Sequence, residues 1–424
     1  MRIAMVTAGA AGMYCGSCLR DNALVIALRK LGHDALLIPT YTPVTLDEPD
    51  QSTGPVLMGG VNVYLQEKSA LFRRTPRWLD WLFDRRWLLK FAGRFAGSTN
   101  YRDLGGLTIS MLQGEHGHQK KELAKLVDVF RQEIKPEAIV LTNVLLSGIV
   151  PTLKRTLGVP IVAMLQGDDI FLDELTAADR TAAIARIRTN AAAIDRFIAT
   201  SHFYADHMAT YLGIDRGRID VIPVGIDVAG HAPAATANAR PVVGYFARFA
   251  PEKGFHHFVD AFIELRKTTD AVLKAGGWRG GKNQPFLNDQ LRKLDAAGLR
   301  SDVEIVPSPD RAGKVILLQA MDLFSVPSVY REPKGLFAME AWANGVPVVL
   351  PDHGCFPELI ADTGGGVLVP PGDPIALATA FRDLLADPDR RRRLGEAGHR
   401  AVLDRYTSST MATRTAALLE RLAR

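Results

Sequence analysis

Pro241-Val242-Val243-Gly244-Tyr245-Phe246-Ala247-Arg248-Phe249-Ala250-Pro251-Glu252-Lys253-Gly254-Phe255 sets a short apolar run against a turn with two cations, and an amphipathic stretch follows. A β-strand passing through a tight turn into a helix has this pattern. At such a turn the backbone N–H groups and the helix dipole favour an anion, so Arg248 and Lys253 suit a diphosphate. The plainer reading is a solvated turn with surface cations.

The same alternation extends in both directions. Strands are expected at Ile3–Thr7, Ala35–Pro39, Ala138–Thr142, Ile161–Leu165, Arg196–Thr200 and Asp220–Pro223, and again at Pro241–Ala247, Ala271–Ala275, Val303–Val306, Leu323–Val326 and Val346–Leu350. Apolar runs alternating with amphipathic stretches predict an α/β fold with parallel sheets. The pattern restarts once, after residues 226–240, which carry no apolar period and read as a linker. The expected layout is therefore an N-terminal domain over 1–225, the linker, and a C-terminal domain over 241–407. In open α/β sheets ligands sit beyond the carboxyl ends of the strands, so functional residues are expected in the loops that follow them.

At 424 residues, two doubly wound domains account for the length, and 47% hydrophobic with 23% charged residues excludes disordered and fibrous classes. No run of about 18 uncharged apolar residues occurs, and Met1–Thr7 reads as a strand rather than a secretory signal. Three cysteines, Cys15, Cys18 and Cys355, are too few for a disulfide framework, so the expected location is the cytoplasm. The net charge of +5 is matched by one stretch alone: residues 69–95 hold Arg73, Arg74, Arg77, Arg85, Arg86, Lys90 and Arg94 against Asp80 and Asp84. Trp78, Trp81 and Trp87 lie among them. Aromatic and basic residues together suit an anionic membrane surface, giving peripheral attachment at its inner face; two helices packed on the N-terminal domain are the other reading. No feature points to nucleic acid.

The strongest motif is Tyr330-Arg331-Glu332-Pro333-Lys334-Gly335-Leu336-Phe337-Ala338-Met339-Glu340-Ala341. Pro333 suits the first turn of a helix, and Gly335 admits a ligand close to the backbone. On one helix, carboxylates eight positions apart would differ by about 80° in azimuth and lie about 12 Å apart along the axis. They could touch opposite ends of one extended ligand, with the N–H groups near Gly335 and Leu336 receiving a phosphate between them. Hydroxyl-rich ends and a charged centre describe a sugar nucleotide.

Glu332 and Glu340, followed by Ala341-Trp342-Ala343-Asn344-Gly345-Val346-Pro347-Val348-Val349, resemble the hallmark of the retaining glycosyltransferases of family 4, the group 1 glycosyltransferases with the GT-B fold. Arg248 with Pro251-Glu252-Lys253-Gly254 resembles that family's diphosphate turn. Further likenesses are Ser201-His202, Ile222-Pro223-Val224-Gly225-Ile226-Asp227, Pro357-Glu358-Leu359-Ile360 and Gly364-Gly365-Gly366. The resemblance implies two Rossmann-like domains facing a cleft, the acceptor domain first and the donor domain second, with a C-terminal helix at about 408–424 crossing back to the first. It implies Glu340 on the ribose hydroxyls, Glu332 on the donor sugar, and Arg248 and Lys253 on the leaving diphosphate. Lys334 departs from the family, which more often has an aromatic residue there; it stands either beside the donor phosphates or in solvent.

The N-terminal domain is less explicit. Ala8-Gly9-Ala10-Ala11-Gly12-Met13-Tyr14-Cys15-Gly16-Ser17-Cys18 follows the first strand and corresponds to the family's first glycine-rich loop, placing Gly16 towards the donor phosphates or acceptor. Cys15 and Cys18 have redox-dithiol spacing at a helix start but read as loop-packing residues. Gln166 stands where many family members place a His beside the donor sugar, and an amide cannot titrate, so it is no general base. Asp168-Asp169 reads as an acceptor contact or helix cap. Glu115-His116-Gly117-His118 reads as a loop rather than a metal site.

The expected reaction is transfer of a hexosyl unit from a nucleoside diphosphate sugar, UDP- or GDP-linked, to a hydroxyl acceptor on a glycan, lipid or small molecule, with retention and with neither metal nor cofactor. The alternatives are another GT-B sugar-nucleotide enzyme such as an epimerase, or a non-catalytic sugar-nucleotide-binding or membrane-scaffolding protein.

Overall fold

The computed structural model describes residues 1–9, 16–44, 46, 49–52, 56–69, 104–278 and 283–424. The basic, tryptophan-bearing run from 70 to 95 and Cys15 lie outside the described residues. By its contacts the chain separates into two compact units: Met1–Pro223 with Ser409–Arg424, and Val224–Ser408.

In the first unit seven strands are described: β1 (Arg2–Thr7), β2 (Asp34–Tyr41), β3 (Leu57–Gly59), β4 (Ala138–Leu141), β5 (Ile161–Leu165), β6 (Arg196–Ala199) and β7 (Ile219–Val221). They form one sheet in the order β3-β2-β1-β4-β5-β6-β7, every pair parallel. The second unit has β8 (Val242–Phe246), β9 (Val272–Gly277), β10 (Val303–Pro307), β11 (Leu323–Phe324), β12 (Val348–Pro351) and β13 (Gly366–Val369). Their order is β10-β9-β8-β11-β12-β13, again all parallel. Both units are thus Rossmann-like, as the alternation of runs predicts. Central strands such as Ile161–Leu165 are buried at every residue, because crossover helices cover both faces of the sheet. Two strands escape the sequence reading, β3 and β13.

Chain order reverses beside β1 in one sheet and beside β8 in the other, and crevices open at such switch points beyond the strand ends. Arg248 and Lys253 follow β8, and Glu332 follows β11, its neighbour at that reversal.

The last helix, Ser408–Ala423, packs on the first unit's sheet. Met411, Ala412, Ala416, Leu418 and Leu419 share one buried cluster with Ile3, Met5, Val140 and Val162. Arg414 Nη2 also donates to the Val221 carbonyl at 2.9 Å. Among the described residues no helix is long and apolar enough to cross a membrane.

Candidate active site

The site is built where β8 and β11 end. Beyond β8 the chain turns through Pro251–Lys253 into the helix Phe255–Leu265. Tyr245, buried on β8, donates its hydroxyl to the Arg248 carbonyl at 3.0 Å and so holds the start of the turn. Arg248 Nη2 donates to Glu252 Oε1 at 2.5 Å, while its Nε is buried without a hydrogen-bond partner. Lys253 Nζ donates to Glu332 Oε2 at 2.8 Å and to the Tyr330 hydroxyl, which itself donates to Glu332 Oε2 at 2.7 Å. The ammonium lies over the rings of Tyr330 and Phe337, 4.7 and 5.3 Å from their centroids. Ring faces carry partial negative charge, so this box stabilises a cation at reduced exposure to water.

Glu332 is only 4% exposed. Burial alone would push its carboxyl up, but the charge and hydrogen bond of Lys253, the Tyr330 hydroxyl and the charge of Lys334 outweigh burial and hold it below the usual carboxylate range. Lys334 is therefore close enough to act on the charge of Glu332.

The helical placement of Glu332 needs correction. The helix runs Leu336–Ala343 and begins only after Gly335, whose φ of 68° is left-handed and interrupts any helix from Pro333. A Cβ on Gly335 would also stand 2.7 Å from Leu359 Cδ1. Glu332 and Pro333 thus lie in the loop before the helix, so the azimuth and rise expected for two carboxylates on one helix do not apply. Instead Cys355 N–H donates to the Glu332 carbonyl at 2.9 Å and fixes this loop from the segment after β12. The helix starts without a side-chain cap, so the amides of its first turn, those of Leu336 and Phe337 among them, form its positive end.

Glu340 lies on that helix and accepts from Lys314 Nζ at 2.8 Å. Lys314 stands on the helix Arg311–Gln319 and was not singled out from the sequence; a lysine at a buried position among Val315, Leu317 and Leu318 was the available signal. Tyr330 and Glu252 fell within quoted motifs without an assigned part.

Gly16 and Gln166 belong to the other unit. Gly16 opens the helix Gly16–Lys30 that follows β1. Gln166 is buried at the end of β5, and its Nε2 donates to the Thr142 carbonyl at 2.7 Å and hydroxyl at 3.2 Å. Asp168 is not a cap of its own helix: its carboxylate accepts from the Val144 and Gln166 amides, each at 2.9 Å, tying the loops after β4 and β5 together. Burial raises its pKa to about 6 against these hydrogen bonds. Asp169 accepts from the Tyr204 hydroxyl at 2.5 Å and pairs with His207 at 3.0 Å. His118 pairs with Glu67, while Glu115 pairs with Arg155 and lies 3.6 Å from His116 of the same run. Cys18 packs in a small apolar cluster with Val44.

The family profile Glycosyl transferases group 1 matches residues 231–401, and that of the Glycosyl transferase 4-like domain matches residues 22–225. The chain is 29% identical over 367 residues to a D-inositol 3-phosphate glycosyltransferase of Segniliparus rotundus, covering 80% of each chain. It is 31% identical over 289 residues to a GDP-mannose-dependent alpha-(1-6)-phosphatidylinositol monomannoside mannosyltransferase of Mycolicibacterium smegmatis, covering 63% of this chain and 72% of the other. In fold it is similar to sucrose-phosphate synthase from Thermosynechococcus elongatus, with a TM-score of 0.72, 19% identity, and coverage of 100% and 99%. A second solved structure, Anabaena HepE in complex with UDP, gives a TM-score of 0.69 at 19% identity with both chains fully covered. With two parallel Rossmann-like sheets, the final helix returned to the first of them, and both family profiles matched in order, the chain is a glycosyltransferase of the GT-B fold and belongs to family 4, the group 1 glycosyl transferases.

Proposed function

We propose that the protein transfers a hexosyl unit from a nucleoside diphosphate sugar to a hydroxyl acceptor, with retention at the anomeric carbon and without a metal ion. The observation that carries this reading is the cation pair after β8. Lys253 is boxed by Glu332, Tyr330 and Phe337, and Arg248 keeps a buried N–H without a partner among the described residues. An unsatisfied buried donor is unfavourable by roughly 1–3 kcal/mol, and a phosphate oxygen would satisfy it. The uncapped start of the helix Leu336–Ala343 adds two amides to the same anion.

In this reading the diphosphate lies between Arg248, Lys253 and the Leu336 amide, with Gly335 giving it room. As the bond from the anomeric carbon to the phosphate oxygen breaks, negative charge grows on that oxygen, and the two fixed cations stabilise it. The acceptor oxygen bonds to the same face of the carbon, and its proton passes to the departing phosphate. Glu332, held ionised, accepts hydrogen bonds from the donor sugar near the reacting carbon. Glu340 takes the ribose. HepE is described with UDP-glucose and the mannosyltransferase relative as GDP-mannose-dependent, which supports a UDP- or GDP-linked donor here.

A panel of UDP-, GDP- and ADP-sugars tested by thermal shift identifies the donor, since a ligand at about 100 times its Kd stabilises by roughly 3 kcal/mol. The preferred donor should be hydrolysed slowly by the wild-type protein. Glu332→Ala should lose that activity while still binding the nucleoside diphosphate. Product of inverted configuration, or activity abolished by EDTA and restored by a divalent ion, would overturn the retaining, metal-independent mechanism.

A further inference from the structure

Beyond the residues assigned to the donor, Lys314 is the charged side chain most deeply committed to one of them. It is 4% exposed, and its ammonium meets Glu340 Oε1 at 2.8 Å. Taking an ammonium and a carboxylate out of water costs several kcal/mol per ion, so such a pair is a poor stabiliser of the fold by itself. What it does well is fix geometry.

The surroundings are built to the same end. Arg311, one turn before Lys314, donates Nη2 to the carbonyls of Asp227 and Ala229 at 2.9 and 3.0 Å. Gln319, further along that helix, donates to the Ala232 carbonyl at 3.0 Å. Across the pair, Asn344 follows the helix that carries Glu340, donates to the Glu340 carbonyl at 2.8 Å, and accepts from Ala232 N–H at 3.3 Å. The segment 227–232 is thereby fastened to both helices, and it holds Lys314 and Glu340 at a set separation.

We propose that Lys314 is a positioning residue for the nucleoside end of the donor site: it orients the Glu340 carboxylate that receives the two vicinal hydroxyls of the ribose. A carboxylate offers about four lone-pair sites, and one ammonium on Oε1 leaves Oε2 to accept from a diol. Without the cation, the half-buried carboxylate turns towards water, and it ceases to be held as a paired acceptor. This rests on the donor reading given above.

The test measures binding of whichever of UDP or GDP stabilises the protein more, beside its 2′-deoxy counterpart and inorganic diphosphate. The wild-type protein should prefer the ribonucleotide by about tenfold or more, the scale of a hydrogen bond to a charged group. Lys314→Met should bring that preference to within about twofold while leaving the affinity for inorganic diphosphate unchanged, which also reports that the site is folded. Lys314→Arg should restore the preference, and Lys314→Met combined with Glu340→Gln should lose no more than Glu340→Gln alone. If Lys314→Met does not fold, Lys314→Gln takes its place. A ribose preference that survives loss of Lys314 overturns the inference and leaves the donor reading standing. A wild-type protein that does not distinguish the two nucleotides overturns the assignment of Glu340 to ribose, and this inference with it.

Discussion

Lys253 Nζ stands 2.8 Å from Glu332 Oε2, with only 16% and 5% of the two side chains exposed. One residue belongs to the turn after β8 and the other to the loop after β11, so this bond closes the switch point of the second sheet. Removing one partner of such a pair leaves a buried charge, a loss of about 3 kcal/mol. Lys253→Ala should therefore lower the unfolding free energy on that scale and reduce turnover by roughly 10²–10³. Lys253→Met with Glu332→Gln should recover most of the stability and none of the activity. Urea unfolding and a donor-hydrolysis assay check both, and a double variant that regained turnover would remove these residues from the chemistry.

Two buried carboxyls give opposite pH dependences. Glu332 is held below its ordinary pKa, so its contribution to stability is full above the unfolded value and is lost as pH falls below about 4. Asp168 is raised to about 6, so stability is greatest where it is protonated and declines as pH rises from about 4 towards 6. The change from Asp168 amounts to at most roughly 3 kcal/mol. Asp168→Asn should abolish that decline while leaving the acid limb in place. Denaturant midpoints between pH 4 and 7 measure it, and parallel curves for the two proteins would show that Asp168 does not titrate there.

Gly354 is set against the backbone of Glu332. Its φ is 64°, and a Cβ there would lie 2.6 Å from Glu332 N and 2.7 Å from its carbonyl oxygen. Gly372 has a similar φ of 70° but nothing within 4 Å of a Cβ. Both substitutions to Ala bear the left-handed strain of about 1 kcal/mol, and only Gly354→Ala must also displace Glu332. Turnover should fall at least tenfold in Gly354→Ala and stay near wild type in Gly372→Ala. Equal activities would mean that the Glu332 loop tolerates the shift.

The alternation of strands and helices was legible because parallel strands covered on both faces are continuous apolar runs. β3 was not, having three residues, Leu57–Gly59; nor was β13, whose four residues begin at Gly366 behind two further glycines. Gly335 was recognised as a point of close approach, but its left-handed conformation, which removes Glu332 from the helix, is one of several open to glycine, and the sequence alone does not choose among them. Gln166 was placed correctly at a strand end. Its amide is engaged with Thr142, 24 residues earlier just beyond the neighbouring strand β4, and a pairing between two strand ends has no local signature. Lys314 was not singled out for the same reason: its partner lies 26 positions away.

The last helix bears on the first unit through a small number of side chains. Leu419 is fully buried and Leu418 nearly so, in the cluster that holds Ile3, Met5, Val140 and Val162 of β1, β4 and β5. The helix carries Arg414 and Arg421, bound to the Val221 carbonyl and to Asp220, but these contacts are exposed and contribute little. Docking therefore rests on apolar burial. Leu419→Ala should destabilise the protein by about 2–5 kcal/mol, against less than 1 kcal/mol for Arg421→Ala. Removal of residues 409–424 uncovers one face of the sheet and should leave a chain that aggregates or unfolds well below the wild-type Tm. If truncation instead left Tm unchanged, the helix would be dispensable to the sheet it covers, and the cluster it completes would not be a core.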